Sequence, residues 1–372
     1  MKKKILALAL AISFIFSEGT VFAEALVTEE SETIDIYDQY STYYADDTSL
    51  PLLTFEEALE KALRNDTSLR TASVSLELAE DKLEISSLTS YTITSSLLSF
   101  VSQQTSIANS KISQAAQEDS VQQTLKEAYI AIIESQRNIA LMEKQLSNTY
   151  RSYQEAKINY NMGTISKNEL DTQHLAYETA QKNLEQSKDT LELDYISLNI
   201  IMGVDVDNRY SFEMPVEYEV MEEPANLDNY IDNMVNKNPS VLQQENNYDL
   251  AIKEFNLSTI YSSEIGAIAS GENSINSAEM SLNDTKYNLY EQYLNLYDSI
   301  RKYESTYEAA VKELTVLKSK CEAARLNYES GKGSLKDYET AKTDVEQQEN
   351  TIISTLYDHA LAVEKFENPN LM

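Results

Sequence analysis

Glycine and proline are scarce in this 372-residue chain, which contains only 7 glycines and 5 prolines. Folds rich in β-structure need many turns, and these two residues make most turns, so the scarcity argues against such folds. Tryptophan is absent, and the chain has one cysteine and two histidines. A single cysteine excludes an intramolecular disulfide framework. Two stretches of well over a hundred residues contain no proline, which favours long helices.

Positive charge is also scarce, because 30 lysines and arginines face 61 aspartates and glutamates, for a net charge of −31. Binding to phosphates needs a basic surface. Nucleic acids and anionic membrane surfaces are therefore poor partners for this chain. The acidity is typical of a well-solvated surface.

The N-terminus has the pattern of a secretory signal peptide. Residues 2–4 are lysines, residues 5–16 form an apolar run, and Val21 and Ala23 are small residues at the positions that precede a cleavage site. We predict a signal peptide at 1–23 and a flexible acidic segment at 24–50. No other segment is apolar for long enough to span a bilayer as a helix, so no integral membrane insertion is expected. The predicted location is outside the cytoplasmic membrane, in the cell envelope and cell-wall space.

An internal repeat organises the rest of the chain. The spacing Ala156-x-x-Asn-Tyr-x-x-Gly-x-x-Ser166 recurs without a gap from Ala324 to Ser334, at an offset of 168 residues. We predict two helical-hairpin repeats at 51–203 and 226–366, an extended linker at 204–225 and a short tail at 367–372. Thr54 and Glu57 form a capping-box pattern at the start of the first repeat.

Each repeat contains heptad-spaced apolar residues before and after its central glycine, which is typical of antiparallel coiled-coil helices. We predict that Gly163 and Gly331 end the outgoing helices in a conformation with positive φ, and that Ser166 and Ser334 cap the returning helices. Two thin hairpins leave much apolar and tyrosine surface uncovered, and self-association is the simplest cover.

These features resemble the TolC-type outer-membrane efflux protein family. The opening "LTFEEALEKALRNDTSLR" and the duplicated order of short helix, long helix, glycine-marked tip and return ending in "NIIMG" carry the resemblance. It implies an all-α fold of long coiled-coil hairpins in two tandem repeats, the protomer of a TolC-like α-barrel. It further implies a homotrimer that meets a membrane-fusion-type adaptor protein and an ABC-type exporter. The implied adaptor-docking tips are Met162, Gly163, Thr164, Ser330, Gly331 and Lys332.

The resemblance also implies acidic rings that narrow the tunnel beyond the tips. The residues at those places are Glu169 and Asp171 in the first repeat and Asp337 and Glu339 in the second. Rings of like charge raise carboxyl pKa values and select cations. The alternative is that these are ordinary acidic residues in the first turn of a helix, where they complement its dipole.

The family places a transmembrane β-hairpin in each repeat, at the stretches that correspond to residues 84–104 and 256–274 here. A spanning strand needs about 9–11 alternating residues, and each place would need two strands and a turn. Neither stretch has this pattern. We therefore expect a protomer without transmembrane β-strands, as suits an organism with a single membrane.

Signals for catalysis are weak. His174, His359 and Cys321 fall on or beside the apolar seams without ligand-spaced partners, which favours packing roles. The sequence has no phosphate-binding glycine loop, nucleophile elbow or zinc signature. We predict that the chain is not an enzyme and holds no cofactor or metal. The predicted function is a non-catalytic part of an efflux or secretion complex, and the alternative is a secreted coiled-coil scaffold of the envelope with no transport lumen.

Overall fold

Long uninterrupted helices account for nearly all of the structure, as the shortage of glycine and proline predicts. The computed structural model describes residues 50–88, 94–211, 218–261 and 265–372. The predicted signal peptide and most of the acidic segment before residue 50 lie outside these ranges. The first repeat contains helices α1 (Phe55–Asn65), α2 (Thr67–Leu88), α3 (Thr94–Asn161) and α4 (Lys167–Met202). The second contains α5 (Leu227–Lys237), α6 (Pro239–Tyr261), α7 (Ile265–Glu329) and α8 (Leu335–Glu367), followed by a 3₁₀ turn at Pro369–Leu371.

Side-chain caps set the helix boundaries at the start of each repeat. The Thr54 hydroxyl accepts a hydrogen bond from the Glu57 N–H at 3.3 Å, and the Asp66 carboxylate accepts one from the Leu69 N–H at 2.7 Å. In the second repeat, the side-chain oxygens of Asn226 and Asn238 accept hydrogen bonds from the backbone two or three residues further on. These bonds satisfy the free N–H groups of helix starts. Each repeat therefore begins with a short helix that is followed at once by a second one.

The helices of each repeat form two antiparallel hairpins that share the long helix. In the first repeat α3 packs against α2 near its start and against α4 near its end, and α7 packs in the same way against α6 and α8. At about 1.5 Å per residue, the 68 residues of α3 make a rod roughly 100 Å long. The described residues of both 84–104 and 256–274 are helical parts of these hairpins.

Equivalent contacts confirm the repeat. The Gln114 amide donates a hydrogen bond to Ser73 Oγ at 3.3 Å, and the Lys286 ammonium contacts Glu245 Oε1 at 2.8 Å. The second pair lies 172 residues after the first, with the same separation of 41 residues along the chain. The two repeats therefore have the same packing although different side chains make it.

Around the tips the helices lie in the order α4, α3, α8, α7, because α3 packs against both α4 and α8, and α8 packs against α7. Among the described residues, α4 packs against α3 and α1, while α7 packs against α8, α6 and α5. These two long helices are thus the opposite edges of one layer. We call them the α4 edge and the α7 edge.

Two separate hydrophobic cores lie where the short helices α1 and α5 cover the hairpins. In the first core Ala58 and Ala62 of α1 pack on Leu125, Tyr129 and other buried residues of α3 and α4. The second core joins α5, α6, α7, α8 and the segment before α5. Its members are Met221, Ile231, Met234, Val235, Val241, Leu289, Tyr293, Ile300, Ala362 and Phe366. The well-packed part of each repeat is therefore distant from its tip along the chain.

Polar pairs join the two repeats along the seam between α3 and α8. Lys144 Nζ lies 2.5 Å from Glu346 Oε1, and Lys126 pairs with Glu364. The C-terminal residues add to this seam, since the side-chain amides of Asn368 and Asn370 both donate hydrogen bonds to Asp119 Oδ2. Hydrogen bonds and ion pairs thus help to hold the repeats side by side.

Candidate functional site: the hairpin tips

The first tip is closed by a glycine in the left-handed conformation. Gly163 has φ of 73°, its N–H donates to the Tyr160 carbonyl at 2.9 Å, and the Thr164 N–H donates to the Asn159 carbonyl at 3.0 Å. This pair of bonds is a Schellman motif, which satisfies the last carbonyls of a helix. The predicted role of Gly163 as a helix end with positive φ is confirmed.

The second tip has the same geometry. Gly331 has φ of 71°, its N–H donates to the Tyr328 carbonyl at 2.9 Å, and the Lys332 N–H donates to the Asn327 carbonyl at 2.8 Å. An alanine Cβ at either glycine would meet no atom within 4 Å. Space is therefore open at both tips, and only the backbone conformation demands glycine there.

Capping boxes begin both returning helices, as predicted for Ser166 and Ser334. Ser166 Oγ accepts the Glu169 N–H at 3.3 Å, while Glu169 Oε2 accepts the Ser166 N–H at 2.7 Å. Ser334 and Asp337 repeat this arrangement at 3.1 Å and 3.3 Å. Hydrogen bonds from the Ser166 backbone and hydroxyl hold the pKa of the Glu169 carboxyl below its ordinary value, and bonds from the Ser334 hydroxyl and backbone do the same for the Asp337 pKa.

The capping boxes use two of the four acidic residues that were predicted to form rings in the tunnel. Glu169 and Asp337 bond to the starts of their own helices, while Asp171 is exposed and Glu339 is half-buried. The described tips therefore fit the alternative in which acidic residues support a helix start. A part for all four residues in a tunnel constriction stays a prediction about the oligomer.

A titration separates these two interpretations, since a capping box lowers a carboxyl pKa and a ring of like charges raises it. We expect the side-chain pKa of Glu169, followed by carbon-detected NMR, to lie below its ordinary value of 4.5. The Ser166→Ala variant should bring the pKa up towards that value, because the hydroxyl bond is lost. The capping bonds should be complete above the ordinary pKa and disappear as the pH falls through the lowered one. A raised pKa in the assembled protein would instead favour the ring.

The tips expose apolar side chains, of which the sequence had marked only Met162 as a docking residue. Met162 is 63% exposed, Ile158 59% and Leu326 52%, and Tyr160 and Tyr328 are each 41% exposed. Ile158 and Leu326 are equivalent positions of the repeat, as are Tyr160 and Tyr328, so the 168-residue offset contained the signal. We call these five residues the tip ledge. Thr164, Ser330 and Lys332 beside it are also exposed.

The rest of the described chain gives no sign of a catalytic or metal centre. No cluster of three or more histidine, cysteine or acidic side chains within the described ranges is arranged to hold a metal ion. His174 contacts the ring of Tyr153, and buried His359 lies with its Nε2 3.5 Å from Glu304 Oε1. Burial raises the pKa of the Cys321 thiol, which keeps it in its less reactive form. None of the described helices is both long and apolar enough to span a membrane.

Comparison by sequence finds no matching protein-family model and no matching curated protein. Comparison by structure finds close likeness to bacterial membrane proteins. A membrane protein from Pseudomonas aeruginosa matches with a TM-score of 0.66 and 12% identity over 85% of this chain and 92% of that one. The outer membrane protein VceC from Vibrio cholerae matches with a TM-score of 0.63 and 10% identity, over 84% and 95% of the two chains.

The CmeC outer membrane channel of Campylobacter jejuni matches with a TM-score of 0.61 and 12% identity over 85% of each chain. Identities this low establish the fold and nothing more specific. The duplicated hairpins, the glycine-closed tips and these likenesses lead to one conclusion about architecture. The chain has a TolC-like fold, which it shares with proteins described as outer membrane channels.

Proposed function

We propose that this chain is a non-catalytic component of an efflux or secretion complex in the cell envelope. Copies of it would associate into a helical conduit, or dock, outside the cytoplasmic membrane. Solved proteins of the same fold are described as outer membrane channels, which supports a transport role and fits a protein that is not an enzyme.

The uncovered edges of the helical layer carry this proposal. On the α4 edge, Leu175, Leu193 and Ile200 are 63%, 62% and 59% exposed. Leu193 lies about five turns after Leu175, and Ile200 lies about two turns after Leu193. All three therefore lie along one line of the helix. Polar residues are expected on a helix face that meets only water, and a line of large apolar residues indicates a partner.

The α7 edge carries a matching line. Met280, Tyr287 and Val316 are 66%, 76% and 52% exposed. Tyr287 lies about two turns after Met280, and Val316 lies about eight turns after Tyr287. An apolar line on each of two opposite edges is what a ring of identical copies requires, with the α4 edge of one copy against the α7 edge of the next. We infer a closed homotrimer, the number of copies that the resemblance implies.

The tips would meet the membrane-anchored part of the complex. We propose that residues 162–164 and 330–332 contact a membrane-fusion-type adaptor protein, which couples the conduit to an ABC-type exporter. The open backbone at both tips and the exposed tip ledge support this assignment. In the ring, symmetry would bring together the copies of four acidic residues, Glu169, Asp171, Asp337 and Glu339. We propose that they narrow the conduit there.

Light scattering on the purified chain in detergent-free buffer tests the self-association. We expect three times the protomer mass. The Leu193→Glu and Met280→Glu variants should each shift the mass towards one protomer, because a charge replaces an apolar contact at an edge. The Met162→Glu variant is the control, because this equally exposed residue lies at a tip, and its mass should stay trimeric. A monomeric wild-type chain would remove the conduit and favour the scaffold.

A further inference from the structure

We propose that the tips bind a protein partner whose contact surface has an apolar centre and an acidic rim. This inference rests on the proposed docking at the tips and adds the chemistry of the partner. Residues 156–168 contain Lys157 and Lys167 and no acidic residue, so this segment has a net charge of +2 within a chain of −31.

The second tip has the same local charge from different residues. Residues 324–336 contain Arg325, Lys332 and Lys336 against one acidic residue, Glu329, which again gives +2. Most of these cations do not occupy equivalent positions in the two repeats. A positive tip therefore occurs twice by different means, in a protein with twice as many acidic as basic residues.

Exposed lysines lie at both tips, and the nearest carboxylates past the tips, those of Glu169 and Asp337, each accept a backbone hydrogen bond at the start of their own helix. Within the described ranges Lys157, Lys167, Lys332 and Lys336 are exposed and form no ion pair within 4 Å. Arg325 differs, because it contacts Glu322 and Glu329 at 2.6 Å. The two acidic residues just past the tips are engaged in the capping boxes. A partner at the tips therefore meets the exposed, unpaired ammonium groups of these four lysines.

The tip ledge supplies the apolar centre of the surface. Ile158 and Met162 are one turn apart on α3, so their exposed side chains extend along the side of the helix as well as at its end. On α7, Leu326 occupies the same place as Ile158, and the exposed Tyr328 corresponds to Tyr160 on α3. A side face about one turn deep suits a helix of a protein partner that packs alongside, more than a flat bilayer surface that meets only the end of the rod.

Most acidic residues of the chain lie too far from the tips to weaken the attraction between the tip lysines and an acidic partner. At physiological salt, charges more than about 8 Å apart are largely screened. The long helices extend roughly 100 Å, so most of the acidic residues lie many screening lengths from the tips. Complementary charge at the rim would speed docking and reject partners with basic rims.

The test uses the full chain and two synthetic helical-hairpin peptides that share one apolar face. One peptide has glutamates at its rim and the other has lysines, and fluorescence anisotropy of the labelled peptide reports binding. We expect the glutamate-rimmed peptide to bind. Charge reversal at the tips, with Lys167→Glu, Lys332→Glu and Lys336→Glu combined, should weaken that binding about tenfold or more. The matched control reverses three exposed, unpaired lysines away from the tips, Lys82, Lys182 and Lys302, and should change binding less than about twofold.

The other outcomes identify which idea fails. Preferential binding of the lysine-rimmed peptide, strengthened by the tip reversal, would overturn the acidic partner and leave docking at the tips standing. Absence of binding by both peptides, or binding that the tip reversal does not change, would overturn docking at the tips as well. If phosphatidylglycerol vesicles bind through the tips and neither peptide does, the partner is a membrane surface and the proposal of a protein partner is wrong.

Discussion

The Gly203→Ala substitution should destabilise the first repeat by about 3 kcal/mol, far more than alanine at either tip glycine. Gly203 ends α4 with φ of 66°, and a non-glycine residue in that conformation costs about 1–2 kcal/mol. An added Cβ would also lie 2.2 Å from Asn65 Oδ1 and 2.9 Å from Asn65 Cβ, so Asn65 has to move. That movement breaks the hydrogen bonds from the Asn65 amide to the Ile200 and Ile201 carbonyls, each worth about 1 kcal/mol.

Urea unfolding at a fixed protein concentration measures this effect, because an oligomer gains stability with concentration. Gly163→Ala and Gly331→Ala are matched controls, since they share the left-handed conformation but meet no atom within 4 Å. Each should cost about 1–2 kcal/mol from the backbone alone. Equal losses at Gly163 and Gly203 would show that the contact with Asn65 adds nothing.

These three glycines show how much of the fold could be predicted from the sequence. Gly163 and Gly331 were found because helix ends are local features, in which a glycine, an asparagine four residues before it and a serine three residues after it all lie within one window. Two windows with the same spacing then indicated a duplicated hairpin. The contact between Asn65 and Gly203 could not be found in this way, since 138 positions separate the two residues and only the packing of α1 on α4 brings them together.

In the candidate site, too, the local features could be predicted from the sequence and the features that depend on distant contacts could not. The serine caps were predictable, and so was the exposure of residues near a hairpin end. Whether Glu169 and Asp337 serve their own helices or a shared ring depends on side-chain rotamers and on neighbouring copies, which spacing does not determine. The heptad-spaced residues before Gly163 include Tyr150 and Tyr160, yet these two are 48% and 41% exposed. Away from α1 and α5 the helices form a single layer, and a single layer leaves part of each large ring open to solvent.

The Lys318→Met substitution should cost about 3 kcal/mol, the second largest effect we expect, because it separates a buried carboxylate from its cation. Glu349 lies on α8 with 0% of its side chain exposed, and its Oε1 is 3.1 Å from Lys318 Nζ on α7. Loss of one partner from a buried ion pair typically costs about 3–5 kcal/mol, since the remaining charge stays out of water. The Lys318 side chain is 36% exposed, which places the expected cost at the low end.

The double variant Lys318→Met and Glu349→Leu separates the attraction of the pair from the cost of burying a charge. A buried ion pair replaced by apolar side chains of similar volume is often neutral or stabilising. We therefore expect the double variant to recover most of the stability that the single variant loses, as measured by urea unfolding of all four members of the cycle. If both single variants and the double variant lose the same amount, the carboxylate is not the source of the cost. The pair would then act by fixing the register of α7 against α8, and its removal should change the protection of amides on both helices between this pair and the second tip.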